Sequence, residues 1–330
     1  MLFAHGRMIL SVDGGGTKTA AIIVDEKNYR LAGFGVAGPS NVRSVTASTS
    51  RKNILKAIKN AEKMAGSVSI TGSIYGIAGY GDSIAYTEEI KSIVKSIEAI
   101  SDGKAVITND GEAAVYLVTM GDDGIVTALG TGSVGAYIKD GKVNRIGGWS
   151  YLTDDVASGY WIARNGIEMA EKSYDGIIGK TSLIEKLQEH FKLPLRDLVA
   201  DLEAHFNKRV MASLAMDVDT EAEKGDKISE NVLYMAFNEI KLMIDGMKKN
   251  FEKPVAVGSI GGVMQSRTIR ELLHREYNGI KIFYGYHVAI GNAMRLLGSR
   301  SSEVRDSFVS QMEEKIDLLS HKERELLFIK

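Results

Sequence analysis

The chain of 330 residues is 44% hydrophobic and 25% charged with a formal charge of −1, the make-up of a globular protein long enough for two domains. That balance excludes a global pull toward nucleic acid or an anionic membrane, and no apolar run reaches the roughly 18–20 residues of a membrane span. There is no cysteine, which removes disulfides, thiolate nucleophiles, zinc–thiolate sites and iron–sulfur clusters together.

Residues 1–7 lack a signal-peptide core and read as a short arm or an upstream start, so the expected location is the cytoplasm. Two apolar runs, 8–12 and 20–24, flank Asp13-Gly14-Gly15-Gly16-Thr17-Lys18-Thr19, which predicts strand, tight turn and strand. Glycines without Cβ atoms let backbone N–H groups wrap an anion, and Thr17 and Lys18 add donors and a positive charge. On this loop alone an ordinary glycine-rich hairpin stands equally. A third strand over 30–36 leads to Asn41, Val42 and Arg43, and helical spacing follows over 44–65. A strand over 68–78 precedes a helix over 83–100 with Asp82 as its expected cap and Ile90, Ile93, Val94 and Ile97 as its buried stripe. A short strand at 105–108 ends in Asn109-Asp110-Gly111-Glu112, ahead of a helix over 113–120.

The pattern then restarts. A strand at 125–129, the loop Gly130-Thr131-Gly132-Ser133, and strands at 136–138 and 142–146 repeat the opening unit, with Leu129–Ser133 laid over Asp13–Thr17. Helical periodicity covers 156–171, 181–191, 195–206 and 228–250. A strand at 253–257 runs into Gly258-Ser259-Ile260-Gly261-Gly262-Val263, followed by a helix from Met264, a strand at 280–283 and a helix at 287–297. Residues 301–330 are charged and amphipathic, an expected surface helix or homodimer contact.

Gly130–Gly135 matches the dinucleotide fingerprint, but a strand follows where that fingerprint needs a helix, so a Rossmann site is set aside. Gly179-Lys180-Thr181 lacks the earlier glycine of a Walker A loop, since Tyr174 stands there. None of the six histidines has metal-ligand spacing. Asp110 offers either a helix cap or a general base, and the residues alone leave both open.

Three glycine loops at strand ends, with Gly147-Gly148-Trp149-Ser150-Tyr151-Leu152-Thr153-Asp154-Asp155-Val156-Ala157-Ser158-Gly159-Tyr160-Trp161-Ile162, resemble the N-acetylglucosamine kinase and BadF/BadG/BcrA/BcrD-type ATPase family within the actin, heat-shock chaperone and sugar kinase superfamily. The resemblance runs from about residue 8 to about 298. It implies an α/β chain of two ribonuclease H-like (actin-like ATPase) domains related by internal repeat, a cleft between them, and closure on sugar binding. The expected divisions are 1–115, 116–300 with a helical insertion, and a helical extension at 301–330.

The resemblance further implies transfer of the γ-phosphate of MgATP to a hydroxyl of a hexose-sized sugar. Asp110 is the expected base, and Asp13 the expected ligand of Mg²⁺ through water. Gly14, Gly15, Gly16, Thr17, Lys18, Thr131, Gly132 and Ser133 are the expected phosphate contacts, and Gly261 and Gly262 the adenosine contacts. Asn41, Arg43, Gly148, Trp149 and Asp155 are the expected substrate contacts, with Trp161 assigned to the core. Val156 stands where the family carries Glu, Ala157 where it carries Gly, and Ser150 and Asp154 replace two further glycines. Neutral sugars of the N-acetylglucosamine or glucose class follow from the resemblance; the lost Glu and Arg43, whose guanidinium suits a carboxylate, point to a sugar acid such as 2-keto-3-deoxygluconate. An activator ATPase of a radical dehydratase is disfavoured by the absence of cysteine. Nucleic acid and membrane are not expected partners.

Overall fold

The computed structural model describes residues 7–98 and 104–327; the N-terminal arm before Arg7 and the end of the helix expected to run to 100 lie outside them. The first sheet contains β1 (Met8–Gly14), β2 (Thr19–Asp25), β3 (Arg30–Ala37), β4 (Ile70–Ile77) and β5 (Lys104–Thr108) in the order β3-β2-β1-β4-β5. The β1–β2–β3 meander is antiparallel, and β4 and β5 add in parallel. Parallel addition needs crossovers, which α1 (Ala47–Ala65) and α2 (Ile84–Glu98) supply. Their buried stripes, Ile54, Ala57, Ile58 and Ala61 on one and Ile90, Ile93, Val94 and Ile97 on the other, share a core with Val12, Ala21, Ile23 and Tyr75. The cap of α2 is Ser83, whose hydroxyl accepts the Tyr86 N–H at 3.2 Å, and not the expected Asp82. A further helix, α3 (Asp110–Thr119), follows β5.

The second sheet contains β6 (Gly124–Leu129), β7 (Ser133–Lys139), β8 (Lys142–Ile146), β9 (Ala256–Ile260) and β10 (Lys281–Phe283), ordered β10-β9-β6-β7-β8. Read from the other edge, this is the strand order of the first sheet, as an internal repeat requires. In place of α1 the chain inserts α4 (Gly159–Tyr174), α5 (Leu183–Phe191), α6 (Leu195–Ala204), α7 (Lys208–Ser213), α8 (Ala215–Glu223) and α9 (Lys227–Lys248). Ile162, Ile167, Val218, Val232, Phe237 and Ile240 of this segment close one core with Leu129 and Met264. The strand expected at 253–257 begins three residues later. β9 lies between β6 and β10, and Pro254 has no N–H for an interior ladder. A 3₁₀ turn at Gly262–Gln265 precedes α10 (Arg267–Glu276), which Ser266 caps.

Two compact units result: residues up to Gly124 with Ile138–Val143 and everything from Gly285 on, and Ile125–Tyr137 with Asn144–Tyr284. The chain therefore returns to its first unit after β10, so the expected division at 300 is replaced by one at 285. The cause is packing. On α11 (Val288–Leu297), Asn292 Nδ2 donates to Val12 O at 3.2 Å, and the Ala289 carbonyl accepts from Ser11 Oγ at 2.6 Å. On α12 (Ser302–Ile316), Phe308 and Met312 are fully buried, and Gln311 Oε1 accepts the Leu31 N–H at 2.7 Å. The tail, closed by α13 (His321–Leu326), thus docks on its own unit as part of the fold. Among the described residues no helix is long and apolar enough to cross a membrane.

Candidate active site

In the first unit the carboxyl ends of β1, β4 and β5 gather four loops. The β1–β2 loop closes through Gly15 N–H to Lys18 O at 2.9 Å. Its Gly15 carbonyl accepts the N–H groups of Ser40 at 3.0 Å and Asn41 at 3.1 Å, which draws the segment after β3 against it. Thr19 Oγ1 reinforces this with bonds to Gly38 O at 2.8 Å and Ser40 Oγ at 2.9 Å. The three glycines differ in purpose. A Cβ on Gly14 would lie 2.3 Å from Ser40 Oγ and 2.7 Å from Ile77 Cδ1, so both side chains must shift to admit one; on Gly15 and Gly16 it would meet nothing closer than 3.7 Å and 3.8 Å. At the last two a Cβ would make no more than ordinary van der Waals contact, so packing does not demand glycine there.

Asn41 is half-buried, and its Oδ1 accepts the Arg43 N–H at 2.9 Å, which shapes the turn after Ser40. Arg43 reaches Asp82 at 3.3 Å with more than half of its side chain exposed. The Asn41–Arg43 turn lies within 4 Å of the Cβ position of Gly79, so the loops after β3 and β4 meet. Asn109 joins them, its Nδ2 donating to Tyr80 O at 2.8 Å while its Oδ1 accepts Gly111 N–H at 2.8 Å as the cap of α3. Asp110 is therefore the first residue of the helix, and its Oδ1 shares the Gly111 N–H with the Asn109 cap, at 3.0 Å. Glu112, two residues along, is tied to Thr108 at 2.8 Å and to Arg295 at 2.5 Å.

Asp13 ends β1 and is buried. Burial first, and then the Asp110 carboxylate, push its pKa well above the ordinary carboxylate range; Lys18 pulls it back in part. The two carboxylates stand at the carboxyl ends of β1 and β5, the strands on either side of β4. Such a pair suits a hydrated divalent cation, since Mg²⁺ takes one or two carboxylates and keeps its waters. Among the described residues there is no cluster of three or more His, Cys, Asp or Glu that could hold a metal.

In the second unit the β6–β7 loop closes through Gly130 N–H to Gly132 O at 2.9 Å. Ser133 N–H, an expected phosphate donor, instead donates to Asp155 Oδ1 at 2.9 Å, and Ser133 Oγ is buried without a hydrogen-bond partner. Asp155, an expected substrate contact, is buried with its second oxygen held by Lys208. Lys208 carries no motif and stands 53 residues away, so it has no signal in the sequence. Gly148 has φ +69° and its carbonyl accepts from Arg145 at 2.5 Å; beyond it Trp149 stands 85% exposed. Trp161 is packed against the helical core, as expected. Gly261, at φ +128°, is required by the fold, since a Cβ there would lie 2.2 Å from Leu129 O, whereas Gly262 faces open space. Asp155 and Ala157 both have left-handed backbones, φ +54° and +58°. Ala157 stands where the resemblance places glycine, a residue that takes this conformation without strain.

The family model of the BadF/BadG/BcrA/BcrD ATPase family matches residues 10–295. The chain belongs to that family. This member is 28% identical over 290 residues to the N-acetylmuramic acid/N-acetylglucosamine kinase of Clostridium acetobutylicum, covering 84% of this chain and 93% of the relative. It is also 28% identical over 297 residues to the N-acetyl-D-glucosamine kinase of Dictyostelium discoideum, covering 82% and 89%. The crystal structure of a candidate N-acetylglucosamine kinase from Chromobacterium violaceum superposes with a TM-score of 0.72 at 22% identity, covering 88% of this chain and 99% of that one. The likeness establishes the two-domain actin-like ATPase fold for this family member.

Proposed function

We propose that this member of the BadF/BadG/BcrA/BcrD family is an ATP-dependent kinase that phosphorylates a hydroxyl of an amino sugar of the N-acetylglucosamine class. The observation that carries the reading is the carboxylate pair Asp13 and Asp110 beside the Gly14–Gly16 loop, with the Asn41 turn drawn against that loop. The names of the two curated relatives support the substrate class.

Asp110 orients the acceptor hydroxyl and takes its proton as that oxygen becomes acidic during transfer. Gly16, Thr17 and Lys18 of the β1–β2 loop donate to phosphate oxygens, the Gly15 N–H being spent on closing that loop; Thr131 and Gly132 are the corresponding donors of the β6–β7 loop. Asn41 offers a donor and an acceptor to sugar hydroxyls, Trp149 a ring face, and Gly262 room for the nucleoside. Asp13 would hold Mg²⁺, which when bound neutralises phosphate charge. Arg43, on which a sugar-acid reading rests, is already engaged by Asp82.

The test is ADP release from MgATP with glucose, N-acetylglucosamine, glucosamine, N-acetylmannosamine, gluconate and 2-keto-3-deoxygluconate added singly. Stimulation by the amino sugars above all others is expected. Stimulation by a sugar acid alone contradicts the substrate class, and hydrolysis indifferent to every sugar contradicts the kinase.

A further inference from the structure

The β6–β7 glycine loop already holds an anion, and that anion belongs to the chain. Asp155 Oδ1 accepts the Ser133 N–H at 2.9 Å and lies so close to Gly132 that a Cβ there would sit 2.8 Å from it. A fixed carboxylate at that point repels any polyphosphate that approaches the same loop. Its charge is met by Lys208, whose ammonium contacts Asp155 Oδ2. Lys208 is the first residue of α7, where Asn207 Oδ1 accepts the Arg209 and Val210 N–H groups and so fixes the turn that presents it. Its ammonium also lies 5.6 Å from the centroid of the Tyr151 ring, which stacks on Phe206 at 5.3 Å. Carboxylate and aromatic face together hold the cation in place. About a third of the side chain, 31%, stays exposed, so the ammonium is not sealed by its partners.

We propose that Lys208 is a nucleotide-binding residue: its ammonium neutralises Asp155 beside the Gly130–Ser133 loop and supplies the positive charge that lets this loop accept a polyphosphate. The proposal rests on the ATP-kinase reading. It assigns to the helical insertion a direct part in phosphate binding, at a residue in none of the glycine loops. It also gives the buried Asp155 a second task, as the strut that shapes the loop from beneath.

The experiment is calorimetric titration of the full chain with MgATP in the absence of sugar, with melting temperature measured alongside. Lys208→Met is expected to weaken ATP binding by about tenfold or more, and Lys208→Arg, which keeps the charge, by no more than about threefold. The decisive variant is Lys208→Met with Asp155→Asn. With the carboxylate charge gone, most of the lost affinity returns. Unchanged ATP affinity in Lys208→Met overturns the proposal. So does a loss that Asp155→Asn fails to recover, or an equal loss in Lys208→Arg, because those outcomes describe a packing residue. A native chain that binds no ATP refutes the kinase reading itself, a result distinct from either.

Discussion

Asn109 spends both ends of its amide, donating to Tyr80 O at 2.8 Å and accepting the Gly111 N–H at 2.8 Å. One side chain thus locks the end of β5 to the loop after β4 and caps α3. Asp110, the next residue, begins the helix, with its Oδ1 also accepting the Gly111 N–H at 3.0 Å. Asp110→Asn keeps the shape and removes the base, so kcat should fall by about 10²–10⁴-fold. ATP affinity should stay within about threefold, since in the proposed scheme Asp110 faces the acceptor and not the nucleotide. Steady-state kinetics with a nucleotide titration checks both halves; retained turnover removes the assignment.

The glycines of the first loop separate stability from binding. Gly14→Ala drives a methyl into Ser40 and Ile77, and overpacking of that kind costs about 1–3 kcal/mol. Gly16→Ala meets nothing closer than 3.8 Å, so stability should change by no more than about 0.5 kcal/mol, while KM for ATP rises. Chemical denaturation of the two variants beside their kinetics reads the contrast. Equal destabilisation by both would show that Gly16 is held by packing as Gly14 is.

Ala157 is fully buried at φ +58°. Left-handed backbone costs an L-residue roughly 1–2 kcal/mol that glycine avoids, although glycine gives back part of that gain through its freer unfolded chain. Ala157→Gly relieves that strain but also deletes a core methyl worth about 0.8 kcal/mol, so stability is expected to change by no more than about 0.5 kcal/mol. A melting temperature lowered by several degrees would place the strain elsewhere.

His287 is buried on the first unit, 2.8 Å from Glu313 of α12. Burial holds its pKa below the ordinary 6.5, Glu313 opposes that, and Lys18 adds to it. A histidine that resists protonation when folded takes up its proton more readily when unfolded. Its contribution is complete above the ordinary value and is lost as pH falls through the lower, folded one. Melting temperature should decline from pH 7.5 toward pH 5.5, and His287→Gln should flatten that decline. An unchanged slope in the variant excludes His287 as its source.

Much of the first unit could be read from residue order, because its strands alternate with turns and its helices bury stripes of Ile and Ala. The second meander was legible for the same reason. α8 was not, since the residues it buries include Asp217, Asp219 and Glu221 and its apolar periodicity is weak. α11 was legible as a helix, but not its destination. A Cβ on Gly291 would lie 2.1 Å from Ala113 O, so α11 presses on α3 by a contact between residues far apart in the chain. The site divides similarly. The glycine loops, Asp13 and Asp110 announce themselves by position at strand ends, whereas Lys208 enters only because α7 folds back on the β6–β7 loop. The fate of the Ser133 N–H, spent on Asp155, is likewise a tertiary fact.

The most direct measurement follows the phosphoryl group itself. The chain is incubated with MgATP labelled at the γ-phosphate and N-acetylglucosamine, and the products of the native chain and of Asp110→Asn are separated and weighed by mass spectrometry. One labelled sugar phosphate is expected for each ADP formed by the native chain, and almost none from the variant. Label released as free phosphate, or appearing equally with both chains, would contradict it.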